Sequence, residues 1–449
     1  MLKALGKIGS ARFGNLSKEK QAGLFGVGWT ALGQIAAIFI RFGSSLLLTR
    51  LLNMDTYGFF GIAMSVSILV ELFSDIGLRP ALTRHADGEN SAYVATAWTI
   101  LIIRSFVMAG LMIGMGLLLP QFYTDYNKRL FFLVEVALAV RPILHACANP
   151  MSILLHKQLR FGTWAAMEFG QTIVGTIGTL TFAYLFHNVW AVVIGILLGE
   201  AAFVALSYAW CERPPRPTWD KAAAKELAHI GNQVFVNTLV MGLWIYVDRL
   251  VGPVFTSAEK MAPYLLAYTL MEAIERLMGK ATDVYFSTLV KVGSFQQQVE
   301  FHTRTCNRIA MFLMPLLAIG IMAAPMVVKV YGSNYRAAGL GILFAVLVCR
   351  VMFRILGQVH YQLFMIQGEI YLATRCYYLA LFVQVVTIFP LAKFYGTLGI
   401  AYSVCISTFV LTLSQNLIFN HRKYMDMKSF LITFGYAAAG FTALVFLEM

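Results

Sequence analysis

Residues 40–77 read IRFGSSLLLTRLLNMDTYGFFGIAMSVSILVELFSDIG. An apolar run that starts near Leu24 carries through Leu52, a short polar turn holding Asn53 and Asp55 follows, and Tyr57 opens a second apolar run. Because ~20 apolar residues cover the hydrocarbon core of a bilayer, these are two membrane spans joined by a tight turn.

The rest of the chain continues in the same style. Of 449 residues, 59% are hydrophobic and only 13% charged, with a mean hydropathy of +0.70. A soluble chain is nearer ~25% charged. Soluble enzymes are thereby excluded, and no stretch of ordinary composition remains for a large catalytic domain outside the membrane. Apolar runs predict spans at 24–49, 57–76, 92–119, 130–152, 163–186, 189–210, 226–251, 262–289, 309–331, 337–364, 369–392 and 396–420, and the run 429–447 is about long enough for a thirteenth.

Lysine and arginine set the orientation. Placing the N-terminus in the cytoplasm puts Lys3, Lys7, Arg12, Lys18, Lys20, Arg79, Arg84, Arg213, Arg216, Lys221, Lys291, Arg304, Arg422 and Lys428 inside, against Arg50, Lys128, Arg129, Lys260, Arg336 and Lys393 outside. Most of the formal +13, 35 basic against 22 acidic residues, is therefore topology signal for a multi-pass protein of the inner membrane. The longest connections, 77–91, 211–225 and 290–308, all fall on the inner side.

Connection 211–225, CERPPRPTWDKAAAK, divides the twelve spans six and six. The implied organisation is a basic amphipathic leader at 1–23, an N-lobe at 24–210, a linker at 211–225, a C-lobe at 226–420, and a basic loop with an extra span at 421–449. Residues 237–279, NTLVMGLWIYVDRLVGPVFTSAEKMAPYLLAYTLMEAIERLMG, echo the opening stretch: an Arg-Leu pair (Arg50-Leu51, Arg249-Leu250), a turn with an acid, then Tyr57 or Tyr264. Six spans per half is an even number, so the predicted fold is all-α, with two lobes related by a pseudo-two-fold along the membrane normal. Facing lobes of this kind alternate access to a site between them.

The residues Arg50, Leu51, Leu52, Asp55, Tyr57, Gly58, Phe73, Ser74, Asp75, Gly77 and Leu78 give the stretch a recognisable character. It resembles the opening of the Wzx-type oligosaccharide and polysaccharide flippases, the polysaccharide transporter branch of the multidrug/oligosaccharidyl-lipid/polysaccharide exporter (MOP) superfamily. Asp248-Arg249-Leu250 is similar to the start of that family's second half, while GPVFTSAEKMAPY replaces its usual glycine-rich turn. The resemblance implies a carrier of undecaprenyl-pyrophosphate-linked oligosaccharide repeat units rather than an enzyme. Its partners would be that lipid-linked oligosaccharide, membrane lipids, and the polysaccharide polymerase and glycosyltransferases of the same assembly route.

Charge inside the membrane is expensive, ~2.5–3.5 kcal/mol per residue, and so marks bundle interiors and pathways. Six arginines have no obvious local partner: Arg41, Arg104, Arg141, Arg350, Arg354 and Arg375. Guanidinium grips phosphate bidentately, so these are the candidate pyrophosphate and glycan ligands. Each has an ordinary structural reading as well, as one half of a buried ion pair. Asp248 and Glu168 are the candidates for coupling or gating. Glu272 and Arg276, four apart on one helical face, read as a self-neutralising pair, and Arg249 as a span-end residue that snorkels or caps.

The eight histidines show no metal spacing, the six cysteines show no paired spacing, and no phosphate loop or nucleophile elbow is present. No metal, cofactor, catalytic residue or nucleic-acid partner is expected. Two other functions fit the composition: a cation-coupled multidrug exporter of the same superfamily, which would need cavity carboxylates, and a polymerase or ligase of polysaccharide assembly, which would need larger outer loops.

Overall fold

A computed structural model describes residues 36–73, 82, 90–123, 125–155, 157–158, 160–422, 424 and 427–448. The predicted leader at 1–23, the start of the first span, and Ser74, Asp75, Gly77 and Leu78 of the opening stretch lie outside these residues. The fold is all-α; among the described residues there is no strand.

The helices of the first half are α1 (36–51), α2 (Met54–Phe73), α3 (Ser91–Leu118), α4 (Lys128–Leu138), α5 (Val140–Ala146), α6 (Phe161–Phe186) and α7 (Val189–Trp210). Those of the second are α8 (Lys221–Phe255), α9 (Ala258–Lys291), α10 (Phe295–Met322), α11 (Leu340–Ile366), α12 (Ile370–Tyr395), α13 (Thr397–His421) and α14 (Lys428–Glu448), with short turns at Ala324–Tyr331 and Ser333–Ala337 before α11. Among the described residues, nine helices are long and apolar enough to cross a membrane.

Side-chain caps fix many of the starts. Asn90, Asn127, Asn188 and Asp220 each accept from backbone N–H groups of the first helical turn, where orphan donors need partners. Three features depart from the sequence expectation, each for a local reason. The run 130–152 is not one continuous helix: it breaks at Ala139, because Pro142 has no N–H for the Leu138 carbonyl and its ring crowds the preceding turn. The linker is shorter than 211–225, since Asp220 caps Ala222 and Ala223 and starts α8 at Lys221. Connection 290–308 is mostly helix, opened by a Ser294–Gln297 capping box and continuous with the next span through a π-turn at Ile309–Leu313. That π-turn falls just before Pro315, which cannot donate to the Met311 carbonyl.

The arm 211–220 is tied to the first half. Asn149 Nδ2 donates to the Glu212 carbonyl at 2.7 Å, Thr99 Oγ1 to the Thr218 carbonyl at 2.9 Å, and the Asp220 N–H to Thr96 Oγ1 at 3.2 Å. In the second half α11 is buried along nearly its whole length, enclosed by α9, α10, α12, α13 and α14. The final apolar run, α14, packs along α10, with Gly440 against the Ala318 carbonyl and Ile321.

Contacts between the halves run chiefly through α2 and α3 against α8 and α9. Gly58, the glycine of the Tyr57-Gly58 pair, meets the backbone of Ala258 so closely that any Cβ there would overlap it. The turn that marks the sequence is thus the point where the two halves touch.

Candidate functional site

A cleft of about 290 Å³ opens between α1 and α2 of the first half and α8 and α9 of the second. Arg41, Ser44, Ser45 and Leu48 line it from α1, Tyr57, Phe60, Met64 and Ile68 from α2, and Leu265, Tyr268, Glu272 and Arg276 from α9. Their three- and four-residue spacings put each set on one helical face. Arg249 comes from α8. The walls are largely apolar, yet they carry three guanidiniums and one carboxylate.

Arg249 is the most constrained of these. Its side chain is 7% exposed, and its guanidinium carbon lies 3.5 Å from the centroid of the Tyr268 ring and 4.8 Å from that of Tyr246. Asp248 stands 4.0 Å away, too far for a hydrogen bond, and Nε and Nη2 of Arg249 have no hydrogen-bond partner. Stacking between tyrosines positions a planar cation without using its donors. Asp248 is wholly buried and accepts from the Tyr264 hydroxyl. Arg276 pairs with Glu272 at 3.1 Å, as its spacing predicts. Arg41 forms no ion pair among the described residues, and the carboxylates whose charge reaches it are Glu272 and Glu168.

Behind Tyr268 two arginines share one carboxylate. The Tyr268 hydroxyl accepts from Arg350 Nη2 at 2.8 Å, Arg350 Nη1 donates to Glu275 Oε1 at 2.6 Å, and Arg354 Nε donates to Glu275 Oε2 at 2.8 Å. Arg354 also lies 5.0 Å from the Trp244 ring centroid. Cleft and backing network together hold five guanidiniums (Arg41, Arg249, Arg276, Arg350 and Arg354) and three carboxylates (Asp248, Glu272 and Glu275). That excess is divided: the three cleft arginines meet Glu272, with Asp248 behind Arg249, and in the backing network two arginines share Glu275.

A second cavity, about 590 Å³, lies within the first half and is lined by Glu71, Arg104, Arg141, His145, Asn149, Gln171 and Glu200 among others. Arg141 bridges Glu71 at 2.8 Å and Glu200 at 2.9 Å, His145 Nδ1 is 3.3 Å from Glu200 Oε2, and Arg104 donates to the Glu71 carbonyl at 3.2 Å. Two arginines face two glutamates, so this cavity is balanced.

The six sequence-predicted arginines therefore separate. Arg41 is in the cleft; Arg104 and Arg141 line the balanced cavity; Arg350 and Arg354 share Glu275; and Arg375 is exposed near the start of α12 over the Tyr371 ring, 5.6 Å away. Of the two acids, Asp248 is beside Arg249, and Glu168 is half-buried on α6. Sequence reasoning passed over Arg249 and Arg276 as cleft residues. The signal that reaches Arg276 is the run Leu265, Tyr268, Glu272, Arg276, a polar-edged stripe at helical spacing. For Arg249 there is no such signal, because its place depends on the stacking of Tyr268.

Residues 47–339 match the model of a family described as polysaccharide biosynthesis protein. Among solved structures the chain is similar to the lipid II flippase MurJ in an inward closed conformation, with a TM-score of 0.72 at 13% identity over 92% of this chain and 91% of that one. It is similar also to an inward-facing multidrug resistance MATE family transporter of the MOP superfamily, TM-score 0.60 at 12% identity over 87% and 98% of the two chains. A eukaryotic MATE transporter gives a TM-score of 0.59 at 12% identity over 94% and 98%. No curated protein sequence matches. At these identities the likeness to solved structures is one of fold.

Proposed function

The chain belongs to the polysaccharide biosynthesis protein family, and from that premise we propose that it is a flippase carrying an undecaprenyl-pyrophosphate-linked oligosaccharide from the cytoplasmic to the outer leaflet of the inner membrane. The fold it shares with MurJ and MATE transporters is that of membrane transporters. The observation that carries the reading is the positive excess of the inter-half cleft, with Arg249 held in place and its donors unspent.

In this reading Arg249, Arg41 and Arg276 receive the pyrophosphate, since charge-assisted hydrogen bonds from planar guanidiniums suit its oxygens. Serines 44 and 45, Tyr57 and Thr269 face the sugars, and the polyprenyl tail stays in lipid. Arg350, Arg354 and Glu275 hold Tyr268, and through it the Arg249 plane, so they position the site rather than touch the substrate. The N- and C-lobes (24–210 and 226–420), with twelve spans and the N-terminus inside, rock about the Gly58–Ala258 contact. Moving negative charge outward down an inside-negative potential contributes about 2.3 kcal/mol per charge per 100 mV. Asp248 and Glu168 are the coupling or gating acids, each within the electrostatic reach of a cleft arginine.

Cationic drugs need carboxylates that outnumber the arginines, and the cleft has the reverse. The test is flipping of lipid-linked glycan in inverted membrane vesicles by the Arg41→Ala, Arg249→Ala, Arg276→Ala triple variant. Loss of flipping with a normally folded yield supports the reading. A triple variant that flips as well as the parent ends it.

A further inference from the structure

Outside the cleft lining, where α10 meets α11, three nitrogen and sulfur donors converge. His302 and Cys306 stand four apart on one face of α10, and His360 faces them from α11; all three are 0% exposed. His302 Nε2 is 3.0 Å from His360 Nδ1, and Cys306 Sγ is 3.6 Å from the first nitrogen and 3.9 Å from the second. We infer that His302, Cys306 and His360 form a binding site for one thiophilic d10 cation, Zn2+ or Cu+.

The distances are those of a coordination polyhedron. With metal–nitrogen bonds of ~2.0–2.1 Å and a metal–sulfur bond of ~2.3 Å, tetrahedral angles put ligand nitrogens ~3.3 Å apart and a nitrogen and sulfur ~3.6 Å apart. The observed edges lie close to these, so the cluster closes on an ion with small side-chain shifts. Two imidazoles and a thiolate without a carboxylate select zinc or copper over magnesium and calcium.

The surroundings are those of a metal site too. Each imidazole is held at its outer nitrogen: Tyr285 Oη is 2.6 Å from His302 Nδ1, and the Asn416 side-chain amide is 2.9 Å from His360 Nε2. Such outer contacts fix ring orientation and aim the inner nitrogens at one point. Phe419 packs against both imidazoles, with ring centroids 5.5 Å and 5.2 Å away, and Phe364 stacks on Phe419 at 4.5 Å, which keeps water out.

Binding replaces the thiol proton, which leaves to solvent, and puts the remaining imidazole protons on the outer nitrogens. His302 Nδ1–H then donates to Tyr285. His360 Nε2–H donates to Asn416 once that amide turns so that Oδ1, which has no partner in the present orientation, faces the ring, at the expense of the 2.8 Å bond from Nδ2 to the Thr412 carbonyl. The ion would clamp α10 to α11 and, through Tyr285 and Asn416, to α9 and α13. The spacing scan overlooked the site because it compared histidines with histidines, whereas the helical pair is a histidine and a cysteine.

The experiment measures metal in the full chain, purified in detergent and reconstituted separately with Zn2+ and with Cu+. Expected is about one ion per chain, as for a built site, falling below about a tenth in Cys306→Ala and in His360→Gln but not in Cys376→Ala. The tighter-held ion names the metal. Cobalt substitution adds a second readout that needs no variant: a thiolate-to-cobalt charge-transfer band. Parent protein that takes up neither ion, that takes up Zn2+ yet shows no such band with cobalt, or whose Cys306→Ala variant binds equally, overturns the inference. The cluster is then a hydrogen-bonded chain in which Asn416 donates to His360, His360 to His302 and His302 to Tyr285. None of these readouts involves transport, so the result is independent of the flippase reading.

Discussion

The two charged cavities use the same residues to opposite ends. In the first-half cavity Arg141 lies between Glu71 and Glu200, and the two arginines of the lining are matched in number by two glutamates. In the inter-half cleft three arginines face Glu272, and Arg249 rests on Tyr268 with two nitrogens unbonded. A buried arginine is thus ambiguous by itself. Its balance of partners separates a structural cation from one kept ready for an anion.

That contrast is open to direct challenge. The largest effect belongs to Arg141→Ala, which removes the guanidinium bridging two glutamates and is expected to lower stability by ~3–5 kcal/mol. Unfolding in detergent micelles checks it, and a loss under ~1 kcal/mol would put Arg141 on the binding side of the comparison. Next is Arg249→Ala. Removing charge-assisted hydrogen bonds worth ~1.5–3 kcal/mol each should slow flipping about 10–100-fold, while stability falls by less than in Arg141→Ala, since Asp248 at 4.0 Å makes no hydrogen bond to Arg249. Arg249→Lys restores charge without the planar fork and should recover only part of the rate. If Arg249→Ala instead unfolds the protein as Arg141→Ala does, the distinction between the cavities fails. The smallest change is Arg276→Ala: its half-exposed pair with Glu272 supports the helix by ~0.2–0.5 kcal/mol, so melting should barely move while flipping falls a few-fold.

Much of the architecture was legible beforehand because hydrocarbon enforces it. Among the described residues the apolar runs are largely helix, and Asn188 and Asn127 cap two of the starts. The misread boundaries had local causes that could have been weighed: Pro142, Asp220, and the Ser294–Gln297 box. The site was less legible. Arg41 lines the cleft, but Arg350 and Arg354 reach an acid 75 and 79 positions earlier in the chain. No spacing rule connects them.

By itself, then, the sequence determined that this is an all-α membrane protein, where its helices run, and that arginine is unusually frequent within them. Composition and short-range periodicity suffice for that, since the bilayer penalises each unsatisfied polar group wherever it occurs. Only the tertiary structure decided which arginines are neutralised and which are free. Pairing depends on which faces of distant helices meet: Glu275 turned toward α11 is shared by two cations, and Tyr268 turned toward α8 stacks on Arg249, with Asp248 4.0 Å away and not hydrogen-bonded to it.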